Sequence, residues 1–202
     1  MSHWQQEVFP ISLIAYWKLD EAEGAVAADS AGTSDGVLAG DPTWQPASGK
    51  VGGALQFDGL ACCVKTPFVC DPSQGALSVF AWIKGGVPGQ VILSQQKGAN
   101  WLLAGVSDGT LTTELKSSGR MGKALKSAVS ITDGAWHRVG FVWDGSNRTL
   151  YVDDVEVAKD TQTNLPTSIG GLYIGAGATL APGSFWSGLI DDVRIYSRAL
   201  KP

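Results

Sequence analysis

An all-β chain folded as two packed antiparallel sheets is what this sequence predicts, and three observations carry the prediction. Helical periodicity is nearly absent: apolar residues at i, i+3, i+4, i+7 are always interrupted by glycine or β-branched clusters. Short alternating apolar segments recur instead, roughly every ten residues, with turn residues between them. Composition is the third: 202 residues carry 26 Gly and 8 Trp but are only 17% charged, which suits many short strands, tight turns and aromatic packing.

The strands follow in chain order. Ile14–Leu19, Ala54–Phe57, Leu77–Ile83 and Val91–Leu93 come first, then Trp101–Val106 and Thr110–Leu115. His137–Trp143, Thr149–Val152, Val155–Val157, Gly171–Ile174 and Leu189–Tyr196 complete the set. Ser107-Asp-Gly109, Asp144-Gly-Ser-Asn147 and Asp153-Asp154 carry turn chemistry between them. Trp17, Phe57, Trp82, Trp136 and Trp143 fall within alternating strands, where an aromatic fills the roughly 10 Å gap between sheets. His137 heads a strand and reads as a structural residue. No repeat of 20 to 50 residues is visible, so a solenoid or propeller is not expected.

A chain of this length buries roughly 70% of its unfolded surface as one domain. Residues 11–202 read as that domain, and residues 1–10 as a loose leading segment or module boundary. A formal net charge of -4 without basic runs offers nothing to nucleic acid phosphates or to an anionic membrane surface. The apolar stretch Val8–Trp17 is too short and interrupted to span a bilayer, and no signal peptide is read in it. Cys62 and Cys63 are neighbours in a strand and point to opposite faces, so at most one of them reaches Cys70. A bridge and reduced thiols are equally compatible with that spacing. Zinc is disfavoured, because neither of the two His stands near the cysteines.

Five segments in order resemble the laminin-G-like jelly roll of the concanavalin A-like lectin/glucanase superfamily. Leu13-Ile-Ala-Tyr-Trp-Lys-Leu-Asp-Glu-Ala-Glu-Gly24 is similar to its opening strand, and Ala28-Asp-Ser-Ala-Gly-Thr-Ser-Asp-Gly36 to the loop that follows. Gly52-Gly-Ala-Leu-Gln-Phe-Asp-Gly59 matches its hairpin and Val79-Phe-Ala-Trp-Ile83 its core strand. Gly134–Asp154 and Phe185–Leu200 supply the rest. The resemblance implies a two-sheet jelly roll whose first and last strands pair. It departs from the pattern at Leu60-Ala-Cys-Cys-Val64, where an acidic and aromatic pair is usual.

The resemblance also implies that the Asp29 loop and the last strand meet, often around calcium, which takes six to eight oxygen ligands. Asp29 and Asp191 are the expected side-chain ligands, with carbonyls from the Gly32–Asp35 loop. The alternative is that Asp29 and Asp58 cap turns through local N–H groups and Asp192 pairs with Arg194 or Arg198. Strict alternation would place Asp191 on one face with Leu189, Val193 and Ile195.

Catalysis is not expected. Glu7, Glu21, Glu23, Glu114 and Glu156 are scattered, no paired-carboxylate strand motif occurs, and G-x-S-x-G is absent. The reading is a non-catalytic carbohydrate-binding or adhesion module. It is monomeric, calcium-stabilised and part of a larger secreted or surface protein, whether extracellular, periplasmic or at the cell surface. A polysaccharide or glycoconjugate is the expected partner. Trp101 after the polar loop Gln95–Asn100, Trp186 after Ala181–Phe185 and Trp44 between prolines are the candidate sugar platforms, or else plugs over the sandwich edge. Arg120, in Ser117-Ser-Gly-Arg-Met-Gly122, is the candidate donor. A protein-interaction or structural spacer domain is the alternative.

Overall fold

The computed structural model describes residues 12–117 and 122–202. The segment 1–10 and Arg120 therefore lie outside the described residues. One sheet holds, in spatial order, β14 (Val155–Thr161), β13 (Asn147–Val152), β12 (Trp136–Trp143), β7 (Leu77–Gly85), β16 (Ser187–Tyr196), β5 (Ala54–Asp58) and β4 (Thr43–Gln45). Strand β1 (Leu13–Trp17) joins it beside the second half of β16, registering Trp17 against Val193, while β5 flanks the first half. The chain's two terminal strands thus pair, as expected. The second sheet runs β11 (Leu125–Ser130), β10 (Thr110–Thr113), β9 (Asn100–Ala104), β8 (Val91–Gln95), β15 (Leu172–Ile174), β6 (Cys63–Lys65), β3 (Gly36–Ala39) and β2 (Val26–Ala27). All pairings are antiparallel, and one 3-10 turn at Pro72–Gln74 is the helical element among the described residues.

The turn chemistry works as its residues dictate. Asp153 and Asp154 both adopt left-handed φ, +51° and +67°, the pair of conformations a two-residue hairpin turn needs to match strand twist. Asp144 Oδ1 accepts N–H bonds from Ser146 and Asn147, closing the β12–β13 turn. The strands not expected from the sequence are short: β2 and β4 at sheet edges, β3 and β6 inside the second sheet, and also β11. In β11, Leu125 and Ser127 are buried and alternate with exposed Lys126, a pattern the sequence does carry.

Between the sheets lie Trp17, Phe57, Trp101, Phe141, Trp143 and Trp186. A buried indole removes about 200 Å² from water, worth about 5 kcal/mol before entropy is counted. Trp186 packs on Gly86, where a Cβ would come 2.3 Å from the ring, so only glycine fits there. Two expected core aromatics are elsewhere. Trp82 lies half-buried on the outer face of β7 with Lys50 Nζ 5.1 Å from its ring centroid, and Trp136 is half-buried at the start of β12. Strand β7 is apolar on both faces, so its alternation could not say which face turned inward.

Alternation also fails in β16. A bulge sets Asp192 and Val193 opposite a single residue of β7, with Asp192 at φ +56°. Val193 and Ile195 consequently turn into the core with Ile190, and Asp191 stays outside with Leu189, opposite Trp82. That corrects the expected face-sharing of Asp191 with Val193 and Ile195. The cysteines behave as alternation requires: Cys62 enters the main core and Cys63 the small cluster beneath Phe185. All three thiols are free, so no bridge forms.

Candidate functional site

A polar groove opens where three loops converge at one end of the sandwich. Its first wall is the β8–β9 hairpin. Gly98 N–H donates to Gln95 O (2.8 Å), and Lys97 is held at φ +57°, a left-handed backbone that costs a non-glycine residue about 1 kcal/mol or more. The second wall, Pro166–Gly170, is tied to the body by Asp71. Asp71 Oδ1 accepts from Ser73 N–H (2.9 Å) and Ser168 N–H (3.2 Å), while Ser73 Oγ and Thr167 Oγ1 lie 3.1 Å apart. Burial works against the Asp71 carboxylate, but these N–H bonds outweigh it and hold its pKa below the usual carboxylate value.

The third wall follows β10, from Glu114 to Ser117 and again at Gly122. Its base is pinned by the fully buried Arg148. That guanidinium donates to Leu115 O, to Lys123 O and, from Nε and Nη2, to the Asp160 carboxylate. Gln162 Oε1 accepts from both Ser117 N–H (3.1 Å) and Ser117 Oγ–H (2.8 Å). A buried guanidinium with every visible partner an oxygen fixes both ends of the loop that contains Arg120.

The enclosed space is a cleft of about 430 Å³ between the first and third walls, continuous through Lys97, Thr167 and Ser168 with an outer cleft of about 570 Å³. Polar groups facing it are preset. Gln95 is 1% exposed and spends its Nε2 hydrogens on Cys70 O and Gly170 O, both at 3.0 Å, which fixes its amide orientation. Gln96 Nε2 does the same with Thr66 O and Leu172 O. Glu114 Oε2 accepts from Asn100 Nδ2 (2.7 Å). Ser117, Thr167 and Ser168 add hydroxyls, and Ile169, 85% exposed, forms an apolar lip. Oriented donors and acceptors on a rigid frame recognise a hydroxylated ligand without prior reorganisation.

The sequence pointed to Gln95–Asn100 and to Ser117–Gly122; residues of the first line the groove, as do Ser117 and Gly122 at the ends of the second, while Arg120 lies outside the described residues. The tryptophans are corrected. Trp101 and Trp186 are fully buried between the sheets and present no ring face to solvent. Their indole N–H groups have no acceptor among the described residues. Trp44 is half-buried at the sheet edge, donates its N–H to Gly24 O (2.8 Å) and does not line the groove. The wall Pro166–Gly170 was missed; its Pro-Thr-Ser-Ile-Gly composition signals only a loop.

The expected calcium ligands are also placed. Asp29 bridges to Trp17 on one side of β1, and β16 pairs on the other, so β1 stands between Asp29 and the last strand. Asp29 Oδ1 accepts N–H bonds from Tyr16, Ala31 and Gly32, and Oδ2 accepts from Ser34. Burial opposes the charge, yet these bonds keep its pKa lowered and engage both of its oxygens. Asp58 caps its own turn the same way, through Leu60, Ala61 and Cys62, with a pKa of about 2 despite the opposing burial. Asp192 pairs with Arg194 at 3.0 Å.

Asp191 differs. The turn Gly49–Gly53 covers it, and Lys50 and Val51 donate N–H bonds to Oδ2 at 2.7 and 2.8 Å. Its Oδ1 is buried without a partner among the described residues. Burial, offset in part by those two bonds and reinforced by the charges of Asp192 and Asp20, pushes its pKa to about 6. No group of three or more acidic, His or Cys residues is arranged around a metal position among the described residues. Asp29 and Asp191 therefore do not fit a shared calcium, and the expected pair is corrected on that ground.

Comparison with known proteins agrees with the fold. A Laminin_G_3 family model, described as concanavalin A-like lectin/glucanases superfamily, matches residues 61–202. No curated protein sequence matches the chain. Among solved structures, domain 4 of the extracellular arabinanase AbnA from Geobacillus stearothermophilus, in complex with arabinotriose, is similar at 20% identity and TM-score 0.61, covering 94% of both chains. The binding domain of Paraclostridial Mosquitocidal Protein 1 is similar at 10% identity and TM-score 0.73, covering 94% of this chain and 49% of that one. Trypanosoma rangeli sialidase aligns at 17% identity and TM-score 0.65, with 94% of this chain spanning 31% of that enzyme. The chain thus spans about half of the toxin domain and about a third of the sialidase. At these identities the likeness speaks for the fold. With the family model covering well over half of the residues, the chain belongs to the Laminin_G_3 family of the concanavalin A-like lectin/glucanases superfamily.

Proposed function

We propose that this chain is a non-catalytic carbohydrate-binding module of a larger secreted or surface protein, and that its ligand lies in the three-loop groove. The observation that carries the reading is the set of preset polar groups there, above all the partly exposed Gln96 amide, held by Thr66 O and Leu172 O, and the Glu114 carboxylate, held by Asn100. Sugar hydroxyls donate and accept in the same plane, and fixed amides and carboxylates match them. The arabinotriose complex of the similar arabinanase domain and the sialidase neighbour support a glycan as the ligand class. The absence of chemistry is part of the proposal: Glu114 is the carboxylate lining the groove among the described residues, and two-carboxylate hydrolysis needs a partner about 5 to 9.5 Å away. A stabilising calcium is confined in this proposal to Asp191, whose Oδ1 is buried without a partner among the described residues.

The burial of Trp101 and Trp186 favours the second reading, a protein-interaction or spacer domain, because it removes the expected stacking platforms. Affinity electrophoresis on a polysaccharide panel, with and without EDTA, separates the two. Retardation on at least one glycan is expected, and Thr167→Trp, which sets a bulky ring at the exposed junction of the two clefts, sharply weakens it while leaving the circular dichroism spectrum unchanged. No retardation on any glycan overturns the reading in favour of the spacer domain.

A further inference from the structure

The charges of the groove narrow its ligand. Lys97 lines both clefts and Lys116 lines the opposite wall. Both side chains are exposed, and neither stands within ion-pair distance of a carboxylate among the described residues. Lys126, on the neighbouring β11, is by contrast 2.7 Å from Asp108. Glu114 shares the groove wall with Lys116, but Asn100 Nδ2 holds one of its oxygens. Among the described residues the groove therefore carries one positive charge in excess, in a chain whose formal net charge is -4.

Lys97 adds a second kind of observation. Its φ of +57° is a backbone conformation that glycine or asparagine adopts at lower cost, and glycine is the very next residue. A long cationic side chain at the one strained position of the hairpin tip does nothing for the turn.

We propose that the groove binds an anionic glycan, one bearing carboxylate or sulfate groups, with the Lys97 ammonium as its principal charge contact and Lys116 as the second. The proposal rests on the glycan-binding reading above. An ammonium on a flexible stem suits anionic groups repeated along a polymer, because it needs no fixed approach angle. Exposed charges also make the binding salt-dependent.

The test uses isothermal titration with polygalacturonate and with dextran sulfate, each against its neutral counterpart, methyl-esterified polygalacturonate and dextran. At least one acidic polymer should bind about tenfold more tightly than its neutral partner, the weight of one charge-assisted contact. That advantage should shrink as NaCl is raised from about 50 to about 500 mM. Lys97→Gly should lose it while the melting temperature stays level or rises, a combination that a purely structural lysine would not produce. Lys116→Gln should lose part of it, and Lys126→Gln none. Equal affinity for acidic and neutral forms, or unchanged acidic binding by Lys97→Gly, overturns the charge assignment and leaves the glycan reading standing. Failure of acidic and neutral glycans alike overturns both.

Discussion

Replacing Asp191 by asparagine separates the charge of a buried carboxylate from its shape. In the native fold the Asp191 pKa stands at about 6, raised from 3.8 by burial and by the nearby Asp192 and Asp20, against the opposing N–H bonds of Lys50 and Val51. The folded state therefore holds the proton more tightly than the unfolded chain. This contribution is fully present below about pH 4 and is lost as pH rises through about 6. The difference of roughly two pKa units corresponds to about 3 kcal/mol at pH 8, as an upper bound on what the ionised group costs there. Asparagine keeps an oxygen for Lys50 and Val51, puts an N–H₂ group where the orphaned Oδ1 now lies, and removes the charge that burial, Asp192 and Asp20 disfavour. In EDTA at pH 8 the variant should be more stable by about 1 to 3 kcal/mol, which for a domain of this size raises Tm by several degrees. At pH 4 the two proteins should melt together. Calorimetry across that range checks it. A variant that melts lower than wild type at pH 8 in EDTA would refute the reasoning, because the carboxylate would then be a net stabiliser. Added calcium should raise the wild-type Tm and not that of the variant if Asp191 carries the proposed ion.

Three further outcomes follow from the packing. Trp101→Ala should cost about 3 to 5 kcal/mol in urea denaturation, and Trp101→Phe much less, because the indole N–H has no partner to lose; a mild loss for alanine would restore a surface role for this ring. Arg148→Met should cost about 3 kcal/mol by stranding Asp160 and two loop carbonyls. It should also speed hydrogen exchange over 115–123 more than in the strands. His137 is bonded at Nδ1 to Asp153 (2.8 Å) and at Nε2 to Asp133 (3.0 Å), and these carboxylates raise its pKa above 6.5 against the effect of burial. Its contribution is present below pH 6.5 and lost above the folded pKa. The stability gap between wild type and His137→Gln should therefore narrow between about pH 6 and about pH 9 in thermal melts.

Much of the architecture was legible because its signals are local. Asp153-Asp154 and Asp144-Gly-Ser-Asn147 are turns by their own chemistry, whatever surrounds them. The alternation of Val139, Phe141 and Trp143 needs only strand geometry to define a face. The capping roles of Asp29 and Asp58 were open readings that the N–H bonds now assign. Trp101, Trp186 and Trp82 were misplaced for one reason: a tryptophan beside a loop and one in a strand look alike until the facing sheet is known. Two were taken for surface rings and are core, while the third was taken for core and lies outside.

By itself the chain of residues determined that strands form and where they turn, since period and turn chemistry act over a few neighbours; the pairing of the first and last strands was implied by the family resemblance and is seen in the register of Trp17 with Val193. Only the tertiary structure decided which face of each strand is the inside. One extra residue at Asp192 inverts the order of every side chain before it relative to those after it. The groove also belongs to the tertiary structure, because residues 95–99, 114–117 and 166–170 meet only after long-range strand pairing has carried three distant loops to the same end of the fold.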